Sequence, residues 1–124
     1  MKYLNKPVYY LQRNDFDDNG DIINPNIPKN IPTIIMIQAI FCGHCTTSKP
    51  AYQELANKMN GKAFFTTIQG DGTEQGEPEL AKMIDKIDSN FRGFPTYIAY
   101  YNGKRTVHNG GRSVSDLEKF ISQL

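Results

Sequence analysis

Residues 33–41, Thr-Ile-Ile-Met-Ile-Gln-Ala-Ile-Phe, are almost continuously apolar, and this run constrains the fold more than any other part of the chain. A strand that alternates apolar and polar residues can leave one face in water. A strand without alternation must be covered on both faces. The run therefore predicts a central strand with other elements packed above and below it. The 124-residue chain suits a single domain, residues 1–124. A chain of that length buries about two-thirds of its unfolded surface, enough for a core without covalent staples.

The rest of the chain supplies the covering elements. Residues 7–13 read as a first strand. Asn14 to Gly20 reads as an acidic loop, and residues 21–32, with Pro25, Pro28 and Pro32, as an irregular connector. A helix is expected from Cys42 to about Met59, with Tyr52, Leu55, Ala56 and Met59 on one face and a kink at Pro50. Residues 62–69 predict a strand. Residues 78–88 predict a helix whose apolar face is Leu80, Met83, Ile84 and Ile87. Residues 95–101 and 105–109 predict a hairpin closed by Asn102-Gly103, a type I′ signal. A last helix is expected from Ser115, with Glu118 completing a capping box. From residue 33 onward the order is βαβαββα, an α/β arrangement with a mixed sheet.

Composition narrows the function classes. Fourteen basic against thirteen acidic residues leave no electrostatic case for nucleic acid or an anionic membrane. No stretch reaches the roughly 18 apolar residues of a membrane span. Residues 1–7 hold no apolar signal region, and the last residues are not a retention signal, so a cytoplasmic location is expected. In that compartment paired cysteines are more often catalytic or metal-binding than structural.

Both cysteines lie in one tetrapeptide, Cys42-Gly43-His44-Cys45, directly after the apolar run. Three readings compete: two inert core thiols, a metal site, or a redox pair. Cys42 stands at an expected helix start, where free backbone N–H groups and the helix dipole favour a thiolate. Gly43 keeps the turn open, and a cationic His44 adds positive charge. Both effects lower the thiol pKa and destabilise a disulfide relative to the dithiol, and about 30 mV of such a shift equals about 1.4 kcal/mol. Cys45, one turn inside, is placed as the resolving thiol. A zinc site would use Cys42, His44 and Cys45 and need His108 or a carboxylate as a further ligand. Tetrahedral sites usually draw on a second distant pair, which this chain lacks. His108 is expected to be an ordinary exposed strand residue.

Taken together the motifs resemble the thioredoxin superfamily, and within it the catalytic domains of protein disulfide isomerases. Cys42-Gly43-His44-Cys45 is the isomerase form of the motif, since thioredoxins proper usually have proline where His44 stands. Phe41 takes the place of the aromatic residue before the first cysteine. Pro50 matches the helix-kinking proline, and Tyr52 follows it. Arg92-Gly93-Phe94-Pro95-Thr96 resembles the segment carrying a cis-proline opposite the active site, and Gly110-Gly111-Arg112 the loop before the final helix. The resemblance covers about residues 31–124.

It implies a thioredoxin-like fold, a central mixed sheet flanked by helices, and a thiol–disulfide oxidoreductase without an organic cofactor or metal. The implied catalytic residues are Cys42, Cys45, His44, Gly43 and Arg112, the last lowering the pKa of the buried cysteine. The implied substrate surface is Phe41, Phe94, Pro95, Gly110 and Gly111. Partners would be proteins bearing thiols or disulfides and a redox-recycling partner, with the protein itself a monomer. A thioredoxin-fold binding module with incidental redox activity is the alternative.

One departure stands out. At Met36, six residues before Cys42, the family places a buried carboxylate that relays protons for the second cysteine. The lysine that often partners that acid is also missing, with Thr67 near its position. Water or a nearby polar group is expected to substitute. Separately, Asp15-Phe16-Asp17-Asp18-Asn19-Gly20 fits half of a calcium loop, but Asn26 stands where the bidentate glutamate belongs. A solvated acidic turn is the expected reading.

Overall fold

A computed structural model describes residues 3–124. Its strands are β1 (Tyr9–Tyr10), β2 (Thr33–Gln38), β3 (Phe64–Gln69), β4 (Thr96–Tyr101) and β5 (Lys104–His108). Its helices are α1 (Gly43–Lys58), α2 (Glu77–Ala81), α3 (Ile84–Ile87) and α4 (Val114–Ser122). The five strands form one sheet in the order β1-β3-β2-β4-β5. β1, β3 and β2 run parallel, and β4 and β5 are antiparallel additions at the other side.

β2 lies centrally and all six of its residues are buried, as its unbroken apolar run requires. Its alternating side chains feed two cores. Ile34 and Met36 join Phe65, Tyr97 and Ala99 under α1 and α4, which contribute Tyr52, Leu55, Leu117 and Phe120. Ile35 and Ile37 point the other way, to Leu80, Ile84 and Ile87 of α2 and α3 and to Leu11, Phe16 and Ile27 of the N-terminal segment. The first core pins α1, the helix that begins beside Cys42. The Tyr52 hydroxyl reaches through it to the Thr66 carbonyl at 2.6 Å and the Ile34 carbonyl at 3.1 Å. The hairpin turn forms as expected, with φ of 53° at Asn102 and 74° at Gly103.

Several expectations shift in detail. The first strand shrinks to two residues, because the Asp15 carboxylate takes the Gln12 backbone N–H at 2.7 Å and turns the chain into a 3-10 turn. The central strand stops at Gln38. Beyond it the N–H of Ile40 donates to the Asp71 carboxylate at 2.9 Å rather than to a strand. The helix expected over residues 78–88 divides into α2 and α3, since the Met83 N–H bonds three residues back to Leu80 at 3.0 Å. The last helix is capped by Ser113 and Asp116, not by Ser115 and Glu118. Glu118 instead pairs with Lys58 at 2.9 Å, joining α4 to α1.

The acidic loop is a structural turn. Asp15 is buried and also accepts from Asn24 Nδ2 at 2.7 Å and from the Tyr9 hydroxyl at 3.3 Å. Asp17 Oδ1 accepts the N–H groups of Asn19 and Asp21, both at 2.9 Å, and Asp18 pairs with Arg13. These contacts occupy the carboxylates on which a calcium loop would depend. No helix among the described residues is long and apolar enough to cross a membrane.

Candidate active site

Cys42 is the N-cap of α1, in an extended conformation. Its Sγ accepts the Cys45 backbone N–H at 3.3 Å and lies 3.5 Å from the Phe94 carbonyl oxygen, to which the thiol donates. The Phe94–Pro95 peptide is cis, as is Lys6–Pro7. The loop entering Cys42 is fixed by Asp71, whose carboxylate accepts from the backbone of both Ile40 and Phe41. Both cysteines are free thiols, Cys42 partly exposed and Cys45 buried.

The two thiols differ in acidity. Desolvation, the largest influence on Cys42, works to raise it. Hydrogen bonding to the Cys45 side chain, the backbone N–H groups of Cys45 and His44, and the positive charge of Arg112 together outweigh it, so the Cys42 pKa falls below the ordinary thiol value. Cys45 is pushed up to about 12, first by burial and then by hydrogen bonding to Cys42. One thiol is thus prepared to ionise at the surface and the other is held protonated behind it.

The surroundings of Cys45 contain a cation that was not anticipated from the sequence. Lys49, one helical turn further along α1, is only 5% exposed, and its charge acts to lower the Cys45 pKa. Arg112 is exposed on the loop before α4, and its charge acts on Cys42 and on the Tyr97 hydroxyl. Met36 is fully buried, and the register sets it against Thr67 on one side and Tyr97 on the other. Thr67 Oγ1 donates to the Met36 carbonyl at 2.7 Å. Among the described residues, three side-chain polar atoms are buried without a hydrogen-bond partner: both amide atoms of Gln38 and the hydroxyl of Tyr97. The Ser48 hydroxyl donates to the His44 carbonyl at 2.7 Å and also influences Tyr97, without a hydrogen bond of normal geometry between them.

The outer surface is aromatic. Phe41 is 73% exposed and meets the Phe94 ring edge-on at 5.8 Å, while Phe91 packs on the other side of Phe94 at 5.2 Å. Gly70 gives the Phe94 ring its space, since a Cβ there would come within 2.6 Å of it. A groove runs from Phe94 and Pro95 past Arg92 to His108 and Arg112. His108 is half-buried rather than exposed. Its Nε2 lies 2.7 Å from the Gly111 carbonyl, and its ring stacks on Phe120 at 4.7 Å. Gly110 sits directly over that ring, where a Cβ would approach it to 2.8 Å. His108 is therefore committed to holding the Gly110-Gly111 loop. Among the described residues, no cluster of three or more His, Cys, Asp or Glu side chains is arranged to hold a metal ion.

The elements bring together Cys42, Cys45, Phe41 and Phe94-Pro95, with Arg112 beside them. Gly43 and His44 occupy the exposed first turn of α1, whereas Gly110 and Gly111 do not line the groove and meet it only through their contacts with His108. Missing from the sequence reading were Asp71, Lys49, Ser48, Gln38 and Tyr97. Only Tyr97 carried a usable signal, a phenol two residues after Pro95 inside an apolar strand.

A five-stranded mixed sheet with a cysteine at the N-cap of its active-site helix and a proline-bearing strand facing it defines a thioredoxin-fold protein. The chain belongs to the thioredoxin family, whose model matches residues 8–123. It is 48% identical to a putative thioredoxin-like protein 453L of Invertebrate iridescent virus 6, across 98% of this chain and 96% of that one. It is 31% identical to protein disulfide-isomerase A3 of Gallus gallus over 95% of its own length, but spans only 21% of that relative. Among solved structures, the J-Trx1 fragment of ERdj5 superposes with a TM-score of 0.64 at 19% identity, covering 94% of this chain and 50% of that one, a likeness of fold alone. The chain is thus a thioredoxin-domain protein related to protein disulfide isomerase domains, with a vicinal cysteine pair suited to thiol–disulfide redox chemistry.

Proposed function

We propose that the protein is a thiol–disulfide oxidoreductase acting on protein disulfides. The observation that carries this reading is the split in acidity between an accessible Cys42 and a buried Cys45 within one turn of helix. Cys42 thiolate attacks a substrate sulfur, breaks the substrate disulfide and forms a mixed disulfide. Cys45 then attacks Cys42 Sγ and releases the second substrate sulfur, leaving Cys42 and Cys45 joined. Run in reverse, the oxidised pair donates its disulfide. Exposed Phe41 and the groove beside Phe94 and Pro95 support an extended protein segment as the substrate. Arg92 and Arg112 outnumber the one carboxylate, Asp88, among the charged side chains lining that groove. The lowered pKa of Cys42 favours the dithiol over the disulfide, which supports oxidase or isomerase work over reduction. That direction also fits the isomerase-type tetrapeptide.

Insulin reduction by dithiothreitol tests the proposal. The protein is expected to accelerate the onset of turbidity, and Cys42→Ser to abolish the acceleration. Turbidity at the uncatalysed rate would leave a binding module as the better account.

A further inference from the structure

The redox reading above leaves one step without chemistry. Cys45 must become nucleophilic to resolve the mixed disulfide, yet it is fully buried, and with a pKa of about 12 its thiolate is about one part in 10⁵ at pH 7. Among the described residues no carboxylate acts on it, and the buried sheet position under α1 is held by Met36. The sheet face under α1 presents Met36, Gln38 and Thr67, all uncharged.

Lys49 fits this gap. Long cationic side chains are almost never this buried unless paired. Lys49 is 95% removed from solvent as a residue and makes no hydrogen bond or ion pair with another described residue; its stem is buried, while its Nζ is not among the fully buried polar atoms and so keeps an edge to water. It follows Cys45 by four positions on α1, and residues at that spacing share one helix face. Both are buried on the side of α1 that packs against the sheet. The groups around Cys45 are then Cys42 and Lys49 on α1, Tyr97 on β4, the Ala39 backbone N–H, and Arg112, whose charge acts on Cys42. Among the described residues, Lys49 is the cation whose charge acts on Cys45, against the larger effect of burial.

We infer that Lys49 is the charge that stabilises the Cys45 thiolate as the mixed disulfide is resolved, lowering the cost of ionising Cys45 without relaying its proton. In that step a bond forms between Cys45 Sγ and Cys42 Sγ, and the bond from Cys42 to the substrate sulfur breaks. The electron pair leaves on the substrate sulfur, and the proton given up by Cys45 ends there. Lys49 takes no part in the bond changes and acts through its field. Its unpaired state is the useful feature, because a neighbouring carboxylate would cancel that field at Cys45.

Rapid mixing of the reduced protein with glutathione disulfide, quenched and read by intact mass, separates formation of the Cys42–glutathione mixed disulfide from its resolution. Lys49→Met keeps an unbranched stem in the buried slot and removes the charge. Its resolution is expected to be about tenfold slower at pH 7, with the pH profile displaced upward by about one unit, the effect of removing a cation near a thiolate. Lys49→Arg is expected to restore the profile toward the parent. In a Cys42→Ser background, thiolate absorbance at 240 nm should titrate later with Lys49→Met than without it, a change that a merely structural role would not produce. If Lys49→Met does not fold, Lys49→Gln takes its place with the same expected direction. Superimposable resolution profiles would overturn the assignment of Lys49. A failure of any mixed disulfide to form at Cys42 would instead overturn the redox function on which it rests.

Discussion

At the scale of single residues, two sulfurs of the same element type are made different by a few ångströms of placement. Cys42 caps a helix and accepts the Cys45 N–H at 3.3 Å, whereas Cys45 has no access to water. Stabilising an anion at a helix start and desolvating one inside it have opposite signs, and the structure applies one to each thiol. Alkylation with iodoacetamide across a pH series should therefore give a Cys42 midpoint below the ordinary thiol value. Cys45, pushed up to about 12, should stay unmodified in the folded protein. Peptide mapping that found Cys45 labelled first would reverse the assignment of nucleophile and resolving thiol. Much of this was legible in Cys42-Gly43-His44-Cys45, because helix-start effects are local. The part played by His44 was only half legible. Its backbone N–H contributes to the lowered Cys42 pKa, while its ring is exposed. Lys49 was not legible at all, since nothing in a lysine's own chemistry announces burial.

At the scale of elements, the site depends on how firmly α1 is held to the sheet. Tyr52 is the main anchor, fully buried with edge contact to Phe65 at 5.8 Å and a hydroxyl shared between the Ile34 and Thr66 carbonyls. Tyr52→Phe preserves the ring and removes the bridge. It should lower the urea unfolding free energy by about 1–2 kcal/mol with little change in slope. An unchanged midpoint would mean that packing alone holds the helix. Element boundaries were less legible than element identities, for reasons visible at particular residues. Ser113 and Ser115 each precede an acid by three positions, as Asp116 and Glu118, and the sequence carries no term that decides between them. The choice falls to Ser113 because Glu118 is used by Lys58 on α1. The end of β2 depends on Asp71, thirty-one residues beyond Ile40. The 78–88 helix had the right apolar face, and Leu80, Met83, Ile84 and Ile87 are all buried, but its backbone breaks within that face.

At the scale of the whole molecule, the fold follows from a central strand that must be covered twice. The sheet order β1-β3-β2-β4-β5 places β2 between one parallel and one antiparallel neighbour. That arrangement brings Cys42, at the carboxyl end of β2, to within 3.5 Å of Phe94, just before β4 begins. Residues fifty-two positions apart meet there because two strands are adjacent in the sheet. Residues 3–30 serve both faces: Leu4 and Val8 pack into the core under α1, while Phe16 and Ile27 complete the second core and Asp15 organises the turn. The molecule thus divides into a scaffold face and a reactive edge.

The most direct test of the account is an intact-mass measurement of the Cys45→Ser variant mixed with a disulfide-linked peptide. The account predicts a persistent adduct of one peptide half, mapped to Cys42 and cleared by added reductant, while Cys42→Ser under the same conditions forms none. No adduct on Cys45→Ser, or adducts of equal yield on both variants, would contradict a nucleophilic Cys42 backed by a resolving Cys45.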